Sequence, residues 1–417
     1  MKILHLSTFD NRGGAARGAL WLHRAMLAQG VDSEMLVARK YGTDPTVHEP
    51  AGYLDRMATR LRMRLDLLPL RRYHHNNESF WSVGWLPGPL DRLVAQFEPD
   101  IVHLHWIGGG FVAMDSLKKL RQPIVWTMRD MWPFTGGCHY SGQCEQYLTG
   151  CGRCPQLHSR DADDLSRRLW REKRKVLRDL NLWLVPISSW LADCAEHSGV
   201  FGERPIRVIP NGIDLTHFNP ADRQQAKAAW HLAPDRRHIL FGAIAALDDM
   251  RKGFGAFKES IRILAQRGWA RQAEIVIFGD SAPSQALGLD LPIRCVGQVN
   301  DDKALAQLYA AADVMVAPSL QEAFGKTLVE AMACGTPVVA FDHGGPVDIV
   351  DHRQNGYLAH AFEPEALADG IAWCCEDGAR AVALGRQGRE KAERLFDIEV
   401  VAAQYRSLYG RILGRGS

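Results

Sequence analysis

Short apolar runs alternate with longer amphipathic segments along almost the whole chain, and this alternation limits the possible folds more than any other feature. The apolar runs have the length of buried strands, and the segments between them show helical periodicity. Repeated strand–helix units predict parallel sheets covered by helices on both faces. The predicted strands are residues 2–7, 33–38, 100–106, 123–128, 182–188, 238–245, 273–279, 293–297, 313–319 and 336–342. The predicted helices include residues 14–29, 88–97, 164–179, 189–197, 254–266, 302–311, 326–334, 363–375 and 379–395.

The alternation pauses at residues 207–220, where proline, asparagine and glycine predict a linker. A chain of 417 residues is also too long for one typical domain. We therefore predict two Rossmann-like, doubly wound α/β domains, residues 1–204 and 205–397, with a helix over 398–417 that packs back on the first. Two such domains leave an interdomain cleft, and ligands of doubly wound sheets bind beyond the carboxyl ends of the strands.

Composition and charge argue against several classes of protein. The formal net charge is +2 and 24% of residues are charged, which is too balanced to indicate a nucleic-acid-binding protein. No apolar run is long enough to span a bilayer. The N-terminal segment has the pattern of a first strand and lacks the length and cleavage site of a signal peptide. We therefore expect a cytoplasmic protein, in which disulfides are uncommon.

The strongest chemical signal is a strand, a loop and a helix over residues 313–334. Glu322 lies in the loop, and Glu330 follows about 2.2 helical turns later, so it projects from the same side of the helix. N–H groups at a helix start bind phosphate or sugar oxygens, and carboxylates accept hydrogen bonds from hydroxyl groups. This combination fits a nucleotide sugar, although a bare pair of glutamates is more often a solvated helix face. The predicted binding backbone comprises Phe324, Gly325, Lys326, Thr327 and Leu328.

The segment SLQEAFGKTLVEAMACGTPVVA, which starts at Ser319, resembles the donor-binding signature of family 4 of the glycosyltransferases along its full length. The chain is similar to the members that act in bacterial exopolysaccharide and colanic-acid synthesis. The resemblance implies the GT-B fold, hexosyl or deoxyhexosyl transfer with retention of anomeric configuration, and no divalent metal in catalysis. It also implies that Glu330 binds the ribose of the donor nucleotide and that Glu322 faces the donor sugar.

The family places basic residues on the donor diphosphate, after the first strand of the second domain. Arg251 and Lys252 lie in a strand-to-helix loop there, where cations would stabilise the negative charge that develops in the transition state. The alternative is an ordinary surface pair. Many relatives carry an arginine a few residues earlier, where this chain has Ala243, Ala245 and Ala246, so we infer that Arg251 replaces it.

Further donor contacts are predicted in both domains. Gly13 and Gly14 precede the first helix and let a backbone approach a ligand closely; in the family the matching loop faces the donor phosphates and the acceptor. Arg17, which we expect to bind the acceptor, adds positive charge beside them. Residues 278–280 resemble a loop that flanks the nucleotide base. Arg294 is either a second base contact or an ordinary charge at a strand edge.

Two loops of the first domain are predicted to face the same cleft. One strand ends at His103, His105 and Trp106, which we expect to contact the acceptor, and the next is followed by Arg129 and Asp130. Relatives usually have His-Asp at the second place, where the histidine contacts the donor sugar. Arginine is no general base, so we expect hydrogen bonding or charge stabilisation from Arg129 and an acceptor contact from Asp130. The resemblance also implies front-face attack assisted by the leaving phosphate, a scheme that needs no protein base.

Four of the nine cysteines lie together in a glycine-rich segment: Cys138, Cys144, Cys151 and Cys154. The last two form a C-x-x-C pair, and four thiols at such spacing are typical of a structural zinc site. His139 is a spare candidate ligand. The alternatives are disulfide or redox pairing, and four reduced thiols without a special role.

Residues 53–75 carry six arginines among leucine and methionine: Arg56, Arg60, Arg62, Arg64, Arg71 and Arg72. A basic amphipathic helix of this kind can lie on an anionic membrane surface. The alternative is a solvated face over a stripe of core residues. Family members often extend lipid-diphosphate-linked sugars, an activity that needs membrane contact.

These features predict a retaining transferase that moves a sugar from UDP or GDP to a glycan or lipid-linked glycan in polysaccharide biosynthesis. We expect it in the cytoplasm, at the inner face of the membrane, without a nucleic-acid partner. One alternative is a GT-B enzyme that hydrolyses or epimerises a sugar nucleotide; such enzymes usually carry additional acid/base carboxylates. The other alternative is a catalytically degenerate, glycan-binding partner subunit.

Overall fold

The structure is a computed structural model that describes residues 1–73, 80–243, 246–279 and 287–414. The chain divides into two compact units, Met1–Gly212 with Val401–Ser417, and Ile213–Val400. Each unit contains a parallel β-sheet and the helices that connect its strands. No helix among the described residues combines the length and the apolar composition needed to cross a membrane.

The first unit is built on a sheet whose strand order reverses near its middle. Its strands are β1 (Lys2–Phe9), β2 (Asp32–Arg39), β3 (Val47–His48), β4 (Ile101–Leu104), β5 (Ile124–Met128) and β6 (Leu182–Pro186). Its helices include α1 (Gly14–Ala28), α2 (Tyr53–Leu65), α3 (Leu90–Ala95), α4 (Leu165–Leu177) and α5 (Ser189–His197). Within the described residues the parallel order is β3-β2-β1-β4-β5-β6. The order reverses between β1 and β4, where doubly wound sheets open a binding crevice.

The second unit repeats this arrangement. Its helices are α6 (Arg223–Ala229), α7 (Phe254–Gln266), α8 (Asp302–Ala311), α9 (Lys326–Ala333), α10 (Pro346–Ile349), α11 (Pro364–Glu376) and α12 (Gly378–Lys391), and α13 (Ile398–Ile412) crosses into the first unit. Its strands are β7 (Arg237–Gly242), β8 (Ala273–Phe278), β9 (Ile293–Gly297), β10 (Val314–Ala317), β11 (Val338–Phe341) and β12 (Gly356–Ala359). In the described part of the chain the parallel order is β12-β11-β10-β7-β8-β9. Because β7 and β10 are parallel neighbours, the loops that follow them meet at one edge of the sheet.

The apolar strands form the cores of the units, as expected for parallel sheets covered on both faces. In the second unit, Phe241 of β7 stacks on Phe257 of α7 with ring centroids 4.5 Å apart. Ile275 and Ile277 of β8 and Val316 of β10 are fully buried in the same cluster. This packing holds the carboxyl ends of β7 and β10 in fixed positions.

The structure differs from the sequence prediction at two edge strands, one helix end and the boundary between the units, and it adds the short helices α6 and α10. The edge strands β3 and β12 are short, and their few apolar residues gave no strand signal. The helix predicted over 379–395 ends at Lys391 and continues as a π-helical turn, Ala392–Phe396. The first unit extends to Gly212, whereas the predicted boundary followed residue 204. The reason is that residues 206–209 run beside β6, where their N–H groups donate to carbonyl groups of that strand at 3.1 Å.

Candidate active site

An ion pair joins the loops that follow β7 and β10. Lys252 Nζ lies 2.6 Å from Glu322 Oε2, and these side chains are only 22% and 17% exposed. The backbones are joined as well, because the Leu320 N–H donates to the Arg251 carbonyl at 2.7 Å. Two residues that were predicted separately, 70 positions apart in the chain, therefore form one charged pair at the carboxyl edge of the sheet.

A glycine makes this close approach possible. Gly253 has φ +73°, a left-handed backbone that residues with a side chain rarely adopt. A Cβ atom at this position would lie 1.8 Å from the carbonyl oxygen of Pro318. The glycine that follows Lys252 is therefore required by the packing of one loop on the other.

The carboxyl group of Glu322 is held in its ionised form. Burial opposes ionisation, but the charge and hydrogen bond of Lys252, the charge of Arg251 and the Phe324 N–H outweigh it and lower the pKa of Glu322. An ionised carboxylate accepts hydrogen bonds and donates none. Glu322 is therefore suited to bind hydroxyl groups, as predicted for a residue that faces a sugar.

Arg251 is oriented by a carboxylate that the sequence reasoning missed. Its Nη2 lies 2.5 Å from Asp249 Oδ2 and its Nε 3.0 Å from Asp249 Oδ1. Asp249 also accepts the Arg251 N–H at 3.0 Å and begins the 3₁₀ turn Met250–Lys252. An aspartate two residues before an arginine in a turn is the signal that would have found it.

Glu330 lies on α9 and is buried, which excludes its reading as a solvated helix-face charge. Its Oε2 accepts a hydrogen bond from the Tyr309 hydroxyl of α8 at 2.9 Å. Its Oε1 lies 3.2 Å from Lys326 Nζ, one helical turn earlier. Tyr309 was not predicted, because nothing in the local sequence of α8 points to a partner on another helix.

The start of α9 differs in detail from the prediction. Gly325 precedes the helix with φ +110°, a conformation that favours glycine. The Phe324 N–H donates to the Glu322 carboxylate, and the Leu328 N–H donates to the Gly325 carbonyl at 3.0 Å. The N–H groups of Phe324 and Leu328, both predicted to contact the donor, are therefore already used in hydrogen bonds within the loop and the first turn. The side chain of Leu328 is also fully buried. Thr327 lies in the first turn of α9, between Gly325 and Leu328.

A glycine pair after β11 packs beneath the Glu322 loop and was also missed. The Gly345 N–H donates to the Glu322 carbonyl at 2.8 Å. A Cβ atom on Gly345 would lie 2.5 Å from Phe324 Cα, and one on Gly344 would lie 2.8 Å from the Glu322 carbonyl oxygen. The His-Gly-Gly-Pro run in the sequence is the signal for this close contact.

Arg294 lies away from these residues. It is the second residue of β9, and its Nε is 3.3 Å from Glu274 Oε1, near the amino ends of β8 and β9. The geometry is that of an ion pair without a well-aligned hydrogen bond. Of the two predicted alternatives, the structure favours an ordinary strand-edge charge. Two other residues named in the prediction, Ala245 and Asp280, lie outside the described residues.

In the first unit, the glycine loop leads directly into α1. Gly13 caps the helix with φ +85°, and a Cβ there would meet no other described residue within 4 Å beyond its chain neighbours and the backbone of its own helix. Gly14 opens the helix, whose first turn carries no acidic residue, so its partial positive charge is not offset locally. The guanidinium group of Arg17 lies over the Trp21 ring, 5.2 Å from its centroid.

His103 and His105, predicted to contact an acceptor, are instead fully enclosed. His103 Nε2 hydrogen-bonds with Thr127 Oγ1 and its Nδ1 with the Tyr409 hydroxyl, both at 2.7 Å. His105 Nε2 lies 2.8 Å from His5 Nδ1. Burial lowers the pKa of all three histidines far below the usual range, so they are neutral. The prediction of acceptor contacts from His103 and His105 is therefore corrected.

Within the described part of the chain, His5, His103 and His105 place ring nitrogens that could bind a metal within 4.8 Å of one another. Both nitrogens of His103 already have partners, as does Nε2 of His105. The cationic side chain of Arg129 lies beside His105, with Nη2 3.4 Å from Nδ1. Occupied nitrogens and an adjacent cation disfavour a metal ion, so we assign this cluster to the core of the unit.

Arg129 is buried at the carboxyl end of β5, and its guanidinium contacts Asn211 Oδ1 and His105. Burial lowers the pKa of Arg129 to about 10, so it remains a cation at neutral pH. Gly18 of α1 makes room for it, because a Cβ there would lie 2.6 Å from Arg129 Nη1. The geometry agrees with a charged, hydrogen-bonding role and not with a general base.

Asp130 is held by three hydrogen bonds. Its Oδ2 accepts from His139 Nδ1 at 2.7 Å and from Trp106 Nε1 at 2.9 Å, and its Oδ1 accepts the Trp132 N–H at 3.0 Å. His139 Nε2 in turn lies 2.8 Å from Ser82 Oγ. Both nitrogens of His139 therefore have partners, which removes it as a spare metal ligand. Trp106, for which we predicted an acceptor contact, donates to Asp130 and orients it.

Two family models match the chain over most of its length. The model described as "Glycosyltransferase Family 4" matches residues 12–217, and "Glycosyl transferases group 1" matches residues 238–377. The chain belongs to family 4 of the glycosyltransferases, and it is a transferase.

Relatives and solved structures agree with this assignment. The putative colanic acid biosynthesis glycosyl transferase WcaC of Escherichia coli is 26% identical over 82% of this chain and 83% of that protein. The D-inositol 3-phosphate glycosyltransferase of Pseudarthrobacter chlorophenolicus is 26% identical over 74% of this chain and 72% of its own length.

Similar structures confirm the predicted GT-B fold. Sucrose-phosphate synthase from Thermosynechococcus elongatus superposes with a TM-score of 0.70 at 22% identity, over 99% of this chain and 100% of that one. Anabaena Alr3699/HepE, solved in complex with UDP, superposes with a TM-score of 0.67 at 18% identity, also over 99% and 100%.

Proposed function

We propose that this enzyme transfers a sugar from UDP to a glycan or lipid-linked glycan acceptor with retention of configuration. The observation that carries the proposal is the Lys252–Glu322 pair, which sets a cation and an ionised carboxylate 2.6 Å apart at the carboxyl edge of the second sheet. Buried Glu330, on the helix that follows, supplies a second carboxylate for the ribose. UDP is favoured over GDP because Alr3699/HepE, which shares the fold, was solved with UDP.

In this reaction the bond between the anomeric carbon and the diphosphate breaks, and negative charge develops on the leaving group. Lys252 and Arg251 stabilise that charge, which is the largest effect such an enzyme needs. These cations take the place of a catalytic metal. The departing phosphate receives the acceptor proton, so neutral His105 and cationic Arg129 need not act as bases. The zinc ion predicted for the cysteines takes no part in this chemistry.

The proposal assigns donor binding to the second unit and acceptor binding to the first. The second unit binds the nucleotide sugar through Lys252, Glu322 and Glu330. The first unit binds the acceptor, and the start of α1 with Arg17 provides positive charge for phosphate groups. Thr327 and the Gly325 turn provide backbone contacts for the donor.

UDP is expected to raise the midpoint of thermal unfolding, and GDP to raise it less. Binding to the native state adds about 2.7 kcal/mol at 100 times the Kd, which corresponds to roughly 5–10 °C for a unit of this size. Glu330→Gln should weaken the UDP shift, because the ribose loses its charged hydrogen-bond acceptor. Glu390→Gln, an exposed residue of α12, is the matched control and should respond as wild type. Equal shifts for all three proteins would contradict the assignment of Glu330.

The acceptor side of the proposal rests on a surface of α2 that is apolar and basic. Leu54, Met57 and Leu61 follow one another at spacings of three and four, which places them on one face of the helix. These three side chains are 78%, 50% and 56% exposed. Nearby large apolar side chains that are exposed are Tyr53, Leu67 and Leu68. A cluster of this kind favours an interaction surface over an ordinary solvated face.

Arginines lie on α2 beside this apolar face and in the 3₁₀ turn that follows it. The exposed arginines are Arg60, Arg64, Arg71 and Arg72. Arg62 differs, because it is buried and its Nη2 donates to Thr59 Oγ1 at 2.8 Å. The last residues of the predicted segment, His74 and His75, lie outside the described residues. Apolar side chains flanked by cations fit an anionic lipid surface, so we propose that the enzyme works at the inner face of the membrane on a lipid-linked acceptor.

Vesicles that contain phosphatidylglycerol are expected to bind the protein, and pure phosphatidylcholine vesicles to bind it less. Replacing Leu54, Met57 and Leu61 with serine should weaken binding about tenfold or more, and so should replacing Arg60 and Arg64. Val382→Ser removes a similarly exposed apolar side chain on α12 and is the control. Co-sedimentation gives the measurement; binding that ignores both lipid charge and the α2 changes would exclude the membrane surface.

A further inference from the structure

The four clustered cysteines line one small pocket between β5 and α4. Its volume is about 20 Å³, enough for a single particle the size of a water molecule. The pocket is lined by all of Cys138, Cys144, Cys151 and Cys154, and each is a free thiol. We propose that it holds a structural zinc ion bound by these four thiolates. The site is separate from the donor-binding residues, so the proposal does not depend on the assigned reaction.

The backbone around the pocket already supports sulfur ligands. The sulfur of Cys154 accepts N–H bonds from Gln156 and Leu157, and that of Cys151 accepts one from Gly136. Hydrogen bonds of this kind orient metal ligands and stabilise their negative charge. The C-x-x-C turn also contains non-glycine residues in the left-handed region, Cys151 with φ +57° and Arg153 with φ +45°. Such conformations persist where the surroundings hold them in place.

A buried cation beside the pocket supplies the third observation. Lys173 of α4 is 1% exposed, and its ammonium donates to the carbonyl groups of Trp132 and Thr135. It lies near the thiols of Cys138 and Cys151. Throughout the described residues, no carboxylate forms an ion pair with it within 4.0 Å. Zinc with four thiolates carries a net charge of −2, and this ammonium would balance part of it.

Zinc would tighten the loop and fix a network beside it. Among the described residues, no three of these sulfur atoms all lie within 4.8 Å of one another, so the loop must contract to form a tetrahedral site. Cys138 directly precedes His139, which hydrogen-bonds both Asp130 and Ser82. A metal at Cys138 would therefore hold the Asp130–His139 pair in place. His139 is itself not a ligand in this proposal.

Zinc analysis of the full-length protein, purified without chelators, tests the proposal. Wild-type protein should carry about one zinc per chain, released when a mercurial reagent titrates four thiols. Cys151→Ser should lose zinc about tenfold or more, whereas Cys374→Ser, a buried cysteine of α11 in the other unit, should retain it. Zinc below about 0.1 per chain, or a disulfide between any two of the four cysteines, would overturn the proposal.

Two further measurements guard against a variant that simply fails to fold. Cobalt added to chelator-stripped wild-type protein should give the visible bands of tetrahedral thiolate coordination, and Cys151→Ser should lose the sulfur-to-metal charge-transfer intensity. Stripping should lower the midpoint of thermal unfolding, and zinc should restore it. The stabilisation by UDP should persist in stripped protein, which separates a failed zinc site from a failed donor site. An octahedral cobalt spectrum would contradict the four-thiolate set.

Discussion

Replacing Lys252 with alanine is expected to lower kcat about 10²–10³-fold, the usual effect of removing one group that stabilises transition-state charge. Lys252 is the cation that pairs with Glu322 at 2.6 Å, and in the reaction it would neutralise the departing diphosphate. Arg251 is already held by Asp249 at 2.5 Å, so its guanidinium is poorly placed to substitute for the lost ammonium. The measurement is release of UDP from the sugar nucleotide that gives the largest thermal shift.

The fold should survive this change. The Phe324 N–H and the charge of Arg251 remain beside Glu322, so its carboxylate keeps part of its stabilisation. Lys258→Ala removes an exposed lysine from the same helix-loop region and is the matched control. Lys252→Arg should recover part of the activity, because it restores the charge with a different geometry. Full turnover by the alanine variant would show that the diphosphate is stabilised elsewhere.

The pairing of Lys252 with Glu322 shows what a sequence can predict about such a site. Each residue lies in a loop after a recognisable strand, and parallel strands place all such loops at one edge of their sheet. The observed order sets β7 beside β10, so the two loops touch. The family resemblance supplied the roles, whereas the distance between the side chains needed the sheet order.

The same reasoning was wrong for His103 and His105, and the cause is physical. A strand end fixes where a residue lies along the sheet, but burial depends on what covers that face. Here the cover is α13, whose Tyr409 bonds to His103 from 306 positions away in the chain. No local pattern reports such a distant contact. The hydrogen bonds of Asp130 could not be predicted for the same reason, because its partner His139 lies in the irregular cysteine loop.

Gly253→Ala is expected to cost about 3–5 kcal/mol of the free energy of unfolding of the second unit, near the upper end for single changes. The new methyl carbon would lie 1.8 Å from the Pro318 carbonyl oxygen, so the loops after β7 and β10 would have to separate. The residue would also keep φ +73° only with strain. Urea unfolding gives the free energy, and the UDP shift reports on the site.

Gly255→Ala separates this effect from a general loss of glycine. Gly255 lies within α7, two positions later, and among the described residues its Cβ would meet nothing within 4 Å beyond its chain neighbours and the helix backbone. Alanine there should stabilise the helix by roughly 0.5–1 kcal/mol. Separation of the loops in Gly253→Ala would pull Lys252 away from Glu322, so stability and UDP binding should fall together in that variant alone. The contrary result is a Gly253→Ala variant whose free energy of unfolding and UDP shift equal those of Gly255→Ala. The contact with Pro318 would then not hold these loops together, and the ion pair would form without it.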